Sequence, residues 1–290
     1  MIGRSHKRLN ESVSFVPVSG TAMMFLLIVS FLMIEGSQVA NASIIFQDDF
    51  NSFFLGSDWV AASELPNYVG TPNTLSATTD GHLEMKSDWS NKNKRKGIRI
   101  DNTFGFQQGT VTLNFKTGES SASNKTNIDG LMELFLIDAD NSNNYVFIQI
   151  YGGNYGQNRS AFVRRGIDGS SEQCLYSTDD SGYDDDWSYG TYPNEDNYQF
   201  SIQLTSSDTI FSFSGANNPF EYNLGENIYQ TYGDFYIAIS QAVGTPWNPY
   251  RYYSKAYADN IIVDAVPIPG AAWLLGSGLL GLVVVRRRKG

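Results

Sequence analysis

Gly109-Thr-Val-Thr-Leu-Asn-Phe-Lys116 decides the fold class. Val111, Leu113 and Phe115 fall on one face of an extended chain, and Thr110, Thr112 and Asn114 fall on the other. An alternation of period two is the mark of a half-buried strand, because successive side chains of an extended backbone point to opposite faces. Downstream, Leu131-Met-Glu-Leu-Phe-Leu-Ile137 is more densely apolar and reads as a strand in the middle of a sheet. Tyr145 to Tyr151 follows it across a turn at Asp138 to Asn144. Gln199 to Leu204 and Thr209 to Ser214 flank Thr205 to Asp208 and make the clearest hairpin. Asp234 to Ser240 and Ala258 to Asp264 are the last two strands. Upstream lie Ile44 to Phe46, His82 to Met85 after the Asp80-Gly81 turn, and Gly97 to Asp101.

Ten or more strands are too many for one flat sheet of ordinary size, and their apolar faces must cover one another. Two stacked antiparallel sheets are the economical arrangement. A β-propeller needs a repeat of about 40 to 50 residues, and the chain has no such self-similarity. Asn, Gly, Ser and Asp punctuate the strands, and no long stretch carries a helical period. The expectation is an all-β domain over residues 43–265, about 220 residues, a size that suits one large domain better than two.

Both ends read as export and tethering elements. Arg4, Lys7 and Arg8 precede the apolar run Met23 to Ile34, and Ala40-Asn41-Ala42 supplies small residues at the spacing of a signal-peptidase site. Residues 1–42 are therefore expected to be a signal peptide with Ser43 as the first mature residue. An uncleaved N-terminal anchor is the alternative, but twelve apolar residues are short for a span. At the other end, Pro267 and Pro269 interrupt the fold. Gly270 to Val285 carries no charge and, as a helix, is about 24 Å long at about 1.5 Å per residue. Arg286, Arg287, Arg288 and Lys289 follow as a basic stop that belongs on the cytoplasmic side. A buried C-terminal helix is the alternative reading.

Val266-Pro267-Ile268-Pro269, the apolar segment 271–285 and the basic cluster together resemble the PEP-CTERM sorting signal of Gram-negative bacteria. Ile268 stands where that signal has Glu. The resemblance covers 266–290 alone. It implies export through the inner membrane, a membrane helix at 271–285, recognition by exosortase-type sorting machinery at Pro267, Pro269 and Arg286 to Arg288, and then a cell-surface or extracellular location.

Between the ends, the body carries 28 Asp and Glu against 13 Lys and Arg. So acidic a surface makes nucleic acid a poor partner. Cys174 is the single cysteine, which excludes an intramolecular disulfide.

Asp48-Asp49-Phe50 with Trp59 soon after, Gly81-His-Leu-Glu-Met85, the Gly109 to Lys116 strand and Asp259-Asn-Ile-Ile-Val263 resemble, in their order, the concanavalin A-like lectin and glucanase sandwich, or jelly roll, which includes laminin-G-like modules. Glucanase members write a retaining glycosidase site as Glu-x-Asp-x-x-Glu on one strand. Here Glu133 matches the first position, Phe135 replaces the Asp, and Asp138 occupies the last position, one methylene shorter than Glu and five residues from Glu133. On a regular strand Glu133 and Asp138 then point to opposite faces, whereas retaining chemistry needs two carboxyls about 5 Å apart on one side. Glu133 is a weak catalytic candidate and reads better as a structural partner or as a polar residue on the concave surface. His82 has no acid beside it in sequence, and the chain has too few His and Cys for a zinc site.

Two binding features are expected. The carboxylates Asp48, Asp49 and Asp259 sit at the first and last strands, where the resemblance implies a structural Ca²⁺; turn residues are the alternative. Tyr183, Trp187 and Tyr189 among the aspartates of 179–192, with Trp247 and Tyr250, suit a sugar, whose C–H faces stack on rings while its hydroxyls take hydrogen bonds. Lys92, Lys94, Arg95 and Lys96 read as a solvated basic loop or a contact for an anionic glycan. The leading function is an exported surface protein that binds carbohydrate or extracellular matrix. A polysaccharide hydrolase or lyase, and a structural matrix protein without specific ligand, are the alternatives.

Overall fold

The computed structural model describes residues 42–51, 55–72, 74–77, 81–88, 94–117, 130–152, 159–178, 197–215, 219–243 and 253–266. Among the described residues sixteen strands form two eight-stranded sheets. The first sheet, A, is built on β7 (Gly109–Thr117), the stretch whose alternation announced it. β12 (Asn197–Leu204), β13 (Thr209–Ser214) and β14 (Phe220–Asn223) extend it on one side. On the other side come β16 (Tyr253–Ala265), β5 (Leu83–Asp88) and β4 (Thr74–Ala77), with β1 (Ser43–Asp48) paired to the last part of β16. The second sheet, B, runs in the order β11 (Gln173–Ser177), β10 (Arg159–Gly166), β9 (Tyr145–Gly152), β8 (Gly130–Asp138), β15 (Phe235–Val243), β6 (Lys94–Ile100) and β2 (Trp59–Ala61). β3 (Tyr68–Gly70) joins β6 as a short parallel pair; the other pairs are antiparallel.

The faces follow from the alternation. Val111, Leu113 and Phe115 of β7 are buried against Met132, Leu134 and Leu136 of β8 in the core between the sheets. Aromatic rings fill much of it, including the Phe115–Phe200 pair with centroids 4.5 Å apart. A five-residue helix, α1 (Ile228–Tyr232), closes one corner by burying Ile228 and Tyr232 under an Asn227 cap whose side chain accepts from Tyr229 N–H at 2.8 Å.

The density of Leu131 to Ile137 has a specific cause: sheet B is covered on both faces. Phe135 and Ile137 turn away from the inter-sheet core into a second cluster with Tyr145, Phe147 and Ala238, roofed by Ala62 and Leu65 and flanked by Tyr68. The roof is pinned by Ala62 N–H donating to Gly97 C=O at 3.2 Å and by Arg95 N–H donating to Asn67 C=O at 3.1 Å. Gly97 permits this approach, since a Cβ there would lie 2.5 Å from Leu65 Cδ1. The outer face of sheet A has no such roof in the described residues. It presents Thr112, Asn114, Lys116, Gln199, Ser201 and Ser212, all half-buried.

The expected β-sandwich is thus the observed one: all-β, two-sheeted and antiparallel apart from one short pair. The basic cluster requires a correction. Lys94, Arg95 and Lys96 belong to strand β6, and Arg95 is buried at 5% exposure, so a solvated loop is not what these residues form. Their charge hid the strand because Arg95 is neutralised inside the fold. The expected signal helix and the membrane helix at 271–285 lie outside the described residues, and no described helix is long and apolar enough to cross a membrane.

Candidate functional site

Glu133 lies on the outer face of sheet B, fully buried. Its carboxylate takes Arg95 Nε at 3.2 Å and 3.0 Å and the Ser240 hydroxyl at 2.5 Å. With its amide turned to donate, Gln149 places nitrogen 2.9 Å from Glu133 Oε1 and oxygen 3.2 Å from Arg164 Nε. Arg95 in turn spans to Glu172 at 2.5 Å and 3.2 Å, and its guanidinium lies 4.9 Å from the centre of the Phe147 ring. Burial alone would lower the Arg95 pKa, but the carboxylates of Glu133 and Glu172 outweigh it and hold it above the ordinary value. Glu172 is opposed by burial but pulled below the usual carboxylate range by Arg95 first, then Arg164 and Tyr145. Burial and the Glu172 charge push the Tyr145 phenol up. Asp138 does not join this group: Oδ1 accepts from Asp140 and Asn141 N–H at 2.9 Å and 3.1 Å, capping the β8–β9 turn. The two carboxyls of the glucanase-like pattern are therefore not gathered into a pair, and each is occupied by its own partners.

Of the carboxylates at the first and last strands, Asp48 is spoken for on both oxygens. Oδ1 accepts from Phe50 N–H and Oδ2 from Trp59 Nε1–H, each at 2.7 Å. These bonds hold Phe50 at φ 51° and fix the indole against it. Asp49 is exposed, and hydrogen bonds from the Asn51 side chain and backbone lower its pKa. Among the described residues no three His, Cys, Asp or Glu side chains form a metal-ready group, so Asp48, Asp49 and Asp259 do not fit a three-carboxylate calcium set.

Asp259 has a different neighbour. A bulge between Ala258 and Asn260 inserts Asp259 into β16 where it faces β7. Ala258 and Ile261 are both buried, so the bulge leaves two consecutive polar residues on the outer side of sheet A. Asp259 Oδ1 lies 3.1 Å from His82 Nδ1, and His82 Nε2 lies 3.0 Å from Lys116 Nζ. An ammonium can only donate, so Nε2 is the acceptor in this contact. Beside this row runs an amide ladder across three strands. Gln199 Nε2 donates to Asn114 Oδ1 at 2.9 Å, and Asn114 Nδ2 donates to Asn260 Oδ1 at 2.5 Å. A cavity of about 360 Å³ opens over them, lined by Asn114, Lys116, Gln199, Ser214, Gly215 and Asp259, with Phe115 and Tyr198 beneath. Such a collection supplies directed donors and acceptors to a hydroxylated ligand.

Sequence reasoning missed this grouping. His82 has no acid directly adjacent in sequence, and only the β5–β16–β7 pairing brings Asp259 and Lys116 to it. The Asp259-Asn260 polar pair inside an otherwise alternating strand was the one available signal. The expected sugar-binding residues Tyr183, Trp187, Tyr189, Trp247 and Tyr250 lie outside the described residues, as do the sorting residues Pro267, Pro269, Arg286, Arg287 and Arg288. Cys174 is half-buried; burial pushes its thiol up, which suppresses thiolate chemistry.

No known protein family model matches this chain, and no curated protein matches it in sequence. Solved structures match its fold. The CBM2 module of an evolved Dit from Lactobacillus casei BL23 phage J-1 superposes with TM-score 0.53 at 9% identity, over 78% of this chain and 97% of that one. SCLam, a non-specific endo-β-1,3(4)-glucanase from family GH16, gives 0.52 at 10% identity over 79% and 92%. The winged bean acidic lectin complexed with methyl-α-D-galactose gives 0.50 at 8% identity over 77% and 99%. What the chain shares with these proteins is the fold, a two-sheeted β-sandwich.

Proposed function

We propose that this chain is an exported, membrane-tethered protein that binds carbohydrate on the outer face of sheet A without cleaving it. The observation that carries the reading is the cavity at Asn114, Lys116, Gln199, Ser214 and Asp259, where locked amides and charges meet on a sheet face that no described residue roofs. The lectin, carbohydrate-binding module and glucanase among the structures of like fold are in keeping with it. Sheet A also receives the chain at Asn197, one residue before Tyr198 of the cavity, after the segment carrying Tyr183, Trp187 and Tyr189. Those rings are proposed to add stacking surface to the same ligand.

Against hydrolysis stands Glu133, sealed under Arg95 where a retaining acid would need access to substrate. Export rests on the leader 1–42, and tethering with exosortase-type sorting rests on 266–290. Glycan-array binding of the full chain tests the ligand reading. Binding that Asn114→Ala with Gln199→Ala abolishes supports it, and wild-type binding that survives this double change refutes the site. Recovery of a product beginning at Ser43 in the membrane fraction supports export; an uncut leader in the cytosol contradicts it.

A further inference from the structure

We infer that the sheet A cavity is selective for an anionic polysaccharide, with the ligand's acidic group on Lys116 and its hydroxyls on Asp259 and the amide ladder. This rests on the carbohydrate reading above and names the class of sugar.

This acidic chain pairs its arginines with carboxylates. Each arginine whose side chain is described lies within ion-pair distance of a carboxylate: Arg95 of Glu133 and Glu172, Arg99 of Glu64, Arg164 of Glu172, and Arg165 of Glu226. Lys116 is treated differently. Its ammonium meets Nε2 of His82, and no carboxylate of the described residues lies within ion-pair distance of it. The imidazole uses one of its three donors, and Lys116 lines the cavity.

The neighbouring acid does not cancel this charge directly. Asp259 lies 3.1 Å from the far nitrogen of the same imidazole, so the row reads carboxylate, imidazole, ammonium, with opposite charges held one ring apart. A plain anion would gain at Lys116 and lose near Asp259. A saccharide bearing one acidic group and several hydroxyls matches both ends, because Asp259, with 47% of its side chain exposed, is a ready acceptor for O–H. The amide ladder fixes the orientation of Gln199 and Asn114 between them, so the polar pattern is set before ligand arrives.

Titration calorimetry of the full chain in detergent, with oligomers of alginate, dextran sulfate and neutral dextran, tests this. A single charge-assisted contact corresponds to about tenfold in affinity. The wild type is expected to bind at least one acidic polymer about tenfold more tightly than dextran. A carboxylate source is assigned if alginate is preferred and a sulfate source if dextran sulfate is. Lys116→Met should bring the acidic polymer down to the dextran value, and Lys116→Arg should keep the preference. Raising salt to about 0.5 M on the wild type should weaken acidic binding and leave dextran unchanged, a readout that needs no variant. Equal wild-type affinity for acidic and neutral polymers, or a preference that survives Lys116→Met, overturns the inference while the carbohydrate reading stands. Failure to bind any saccharide overturns both.

Discussion

Replacing Arg95 with Met removes the cation at the centre of the sheet B network while keeping a long apolar side chain over Phe135 and Phe147. The loss falls mainly on Glu133. It is fully buried, forfeits two contacts at 3.0 and 3.2 Å, and retains only the neutral donors of Ser240 and Gln149. Glu172 loses Arg95 as well, but it keeps Arg164 at 3.7 Å and partial access to water, so it adds little. Breaking a buried pair from one side costs about 3–5 kcal/mol, because the remaining charge is left in a medium that cannot solvate it. At about 2–4 °C per kcal/mol for a domain of this size, the melting temperature should fall by roughly 6–20 °C. Urea unfolding with an unchanged slope gives the free energy directly. The double variant Arg95→Met with Glu133→Leu removes both charges and should recover to within about 1 kcal/mol of wild type. An Arg95→Met loss below about 1 kcal/mol, or a double variant no better than the single one, would refute the reading of Glu133 as a structural acid held by Arg95.

Three further outcomes follow from the same geometry. Because the Glu172 pKa is depressed in the fold, the unfolded chain takes up its proton first as pH falls. Its stabilisation is therefore complete above about pH 4.5 and disappears below it; Glu172→Gln should flatten the acid limb of a stability–pH profile there, and an unchanged limb contradicts the pairing. Gly97→Ala drives a methyl into Leu65, Ser240 and the Ile239 carbonyl, and should cost about 1–3 kcal/mol in denaturant titrations; a neutral result would mean the 62–65 roof is not seated on β6. With both Asp48 oxygens engaged by Phe50 and Trp59, EDTA should leave the melting temperature unchanged; a fall of several degrees that Ca²⁺ reverses would reinstate a calcium site at Asp48, Asp49 and Asp259.

What the sequence disclosed depended on whether each strand had one wet face. β7 and the β12–β13 hairpin bury one face and leave polar residues on the other, so their alternation reads directly. β8 is buried on both faces and still announces itself by density. β10, Arg-Ser-Ala-Phe-Val-Arg-Arg-Gly, went unread because Arg164 and Arg165 pair with Glu172 and Glu226, which lie outside the strand. The same mechanism hid Arg95 inside β6. Short edge strands such as β2 and β3 have too few residues to show any period. For the site, Glu133 stood out for its position in a pattern, whereas its burial depends on a roof formed by residues 62–68. The His82–Lys116–Asp259 row was invisible because it is assembled from three strands and turned into place by a bulge whose local sequence carries no marker beyond two adjacent polar residues.

In the proposed function, ligand meets the face of sheet A that the described residues leave open, while sheet B stays covered by Ala62 and Leu65. Amide hydrogen exchange of the full chain with and without acidic oligosaccharide measures this directly. Added protection at Asn114 to Lys116, Tyr198 to Gln199 and Ser214, with Glu133 to Ile137 and Tyr145 to Gln149 unchanged, is the predicted result. Protection concentrated on Glu133 to Ile137 and Tyr145 to Gln149, with none on sheet A, would contradict it.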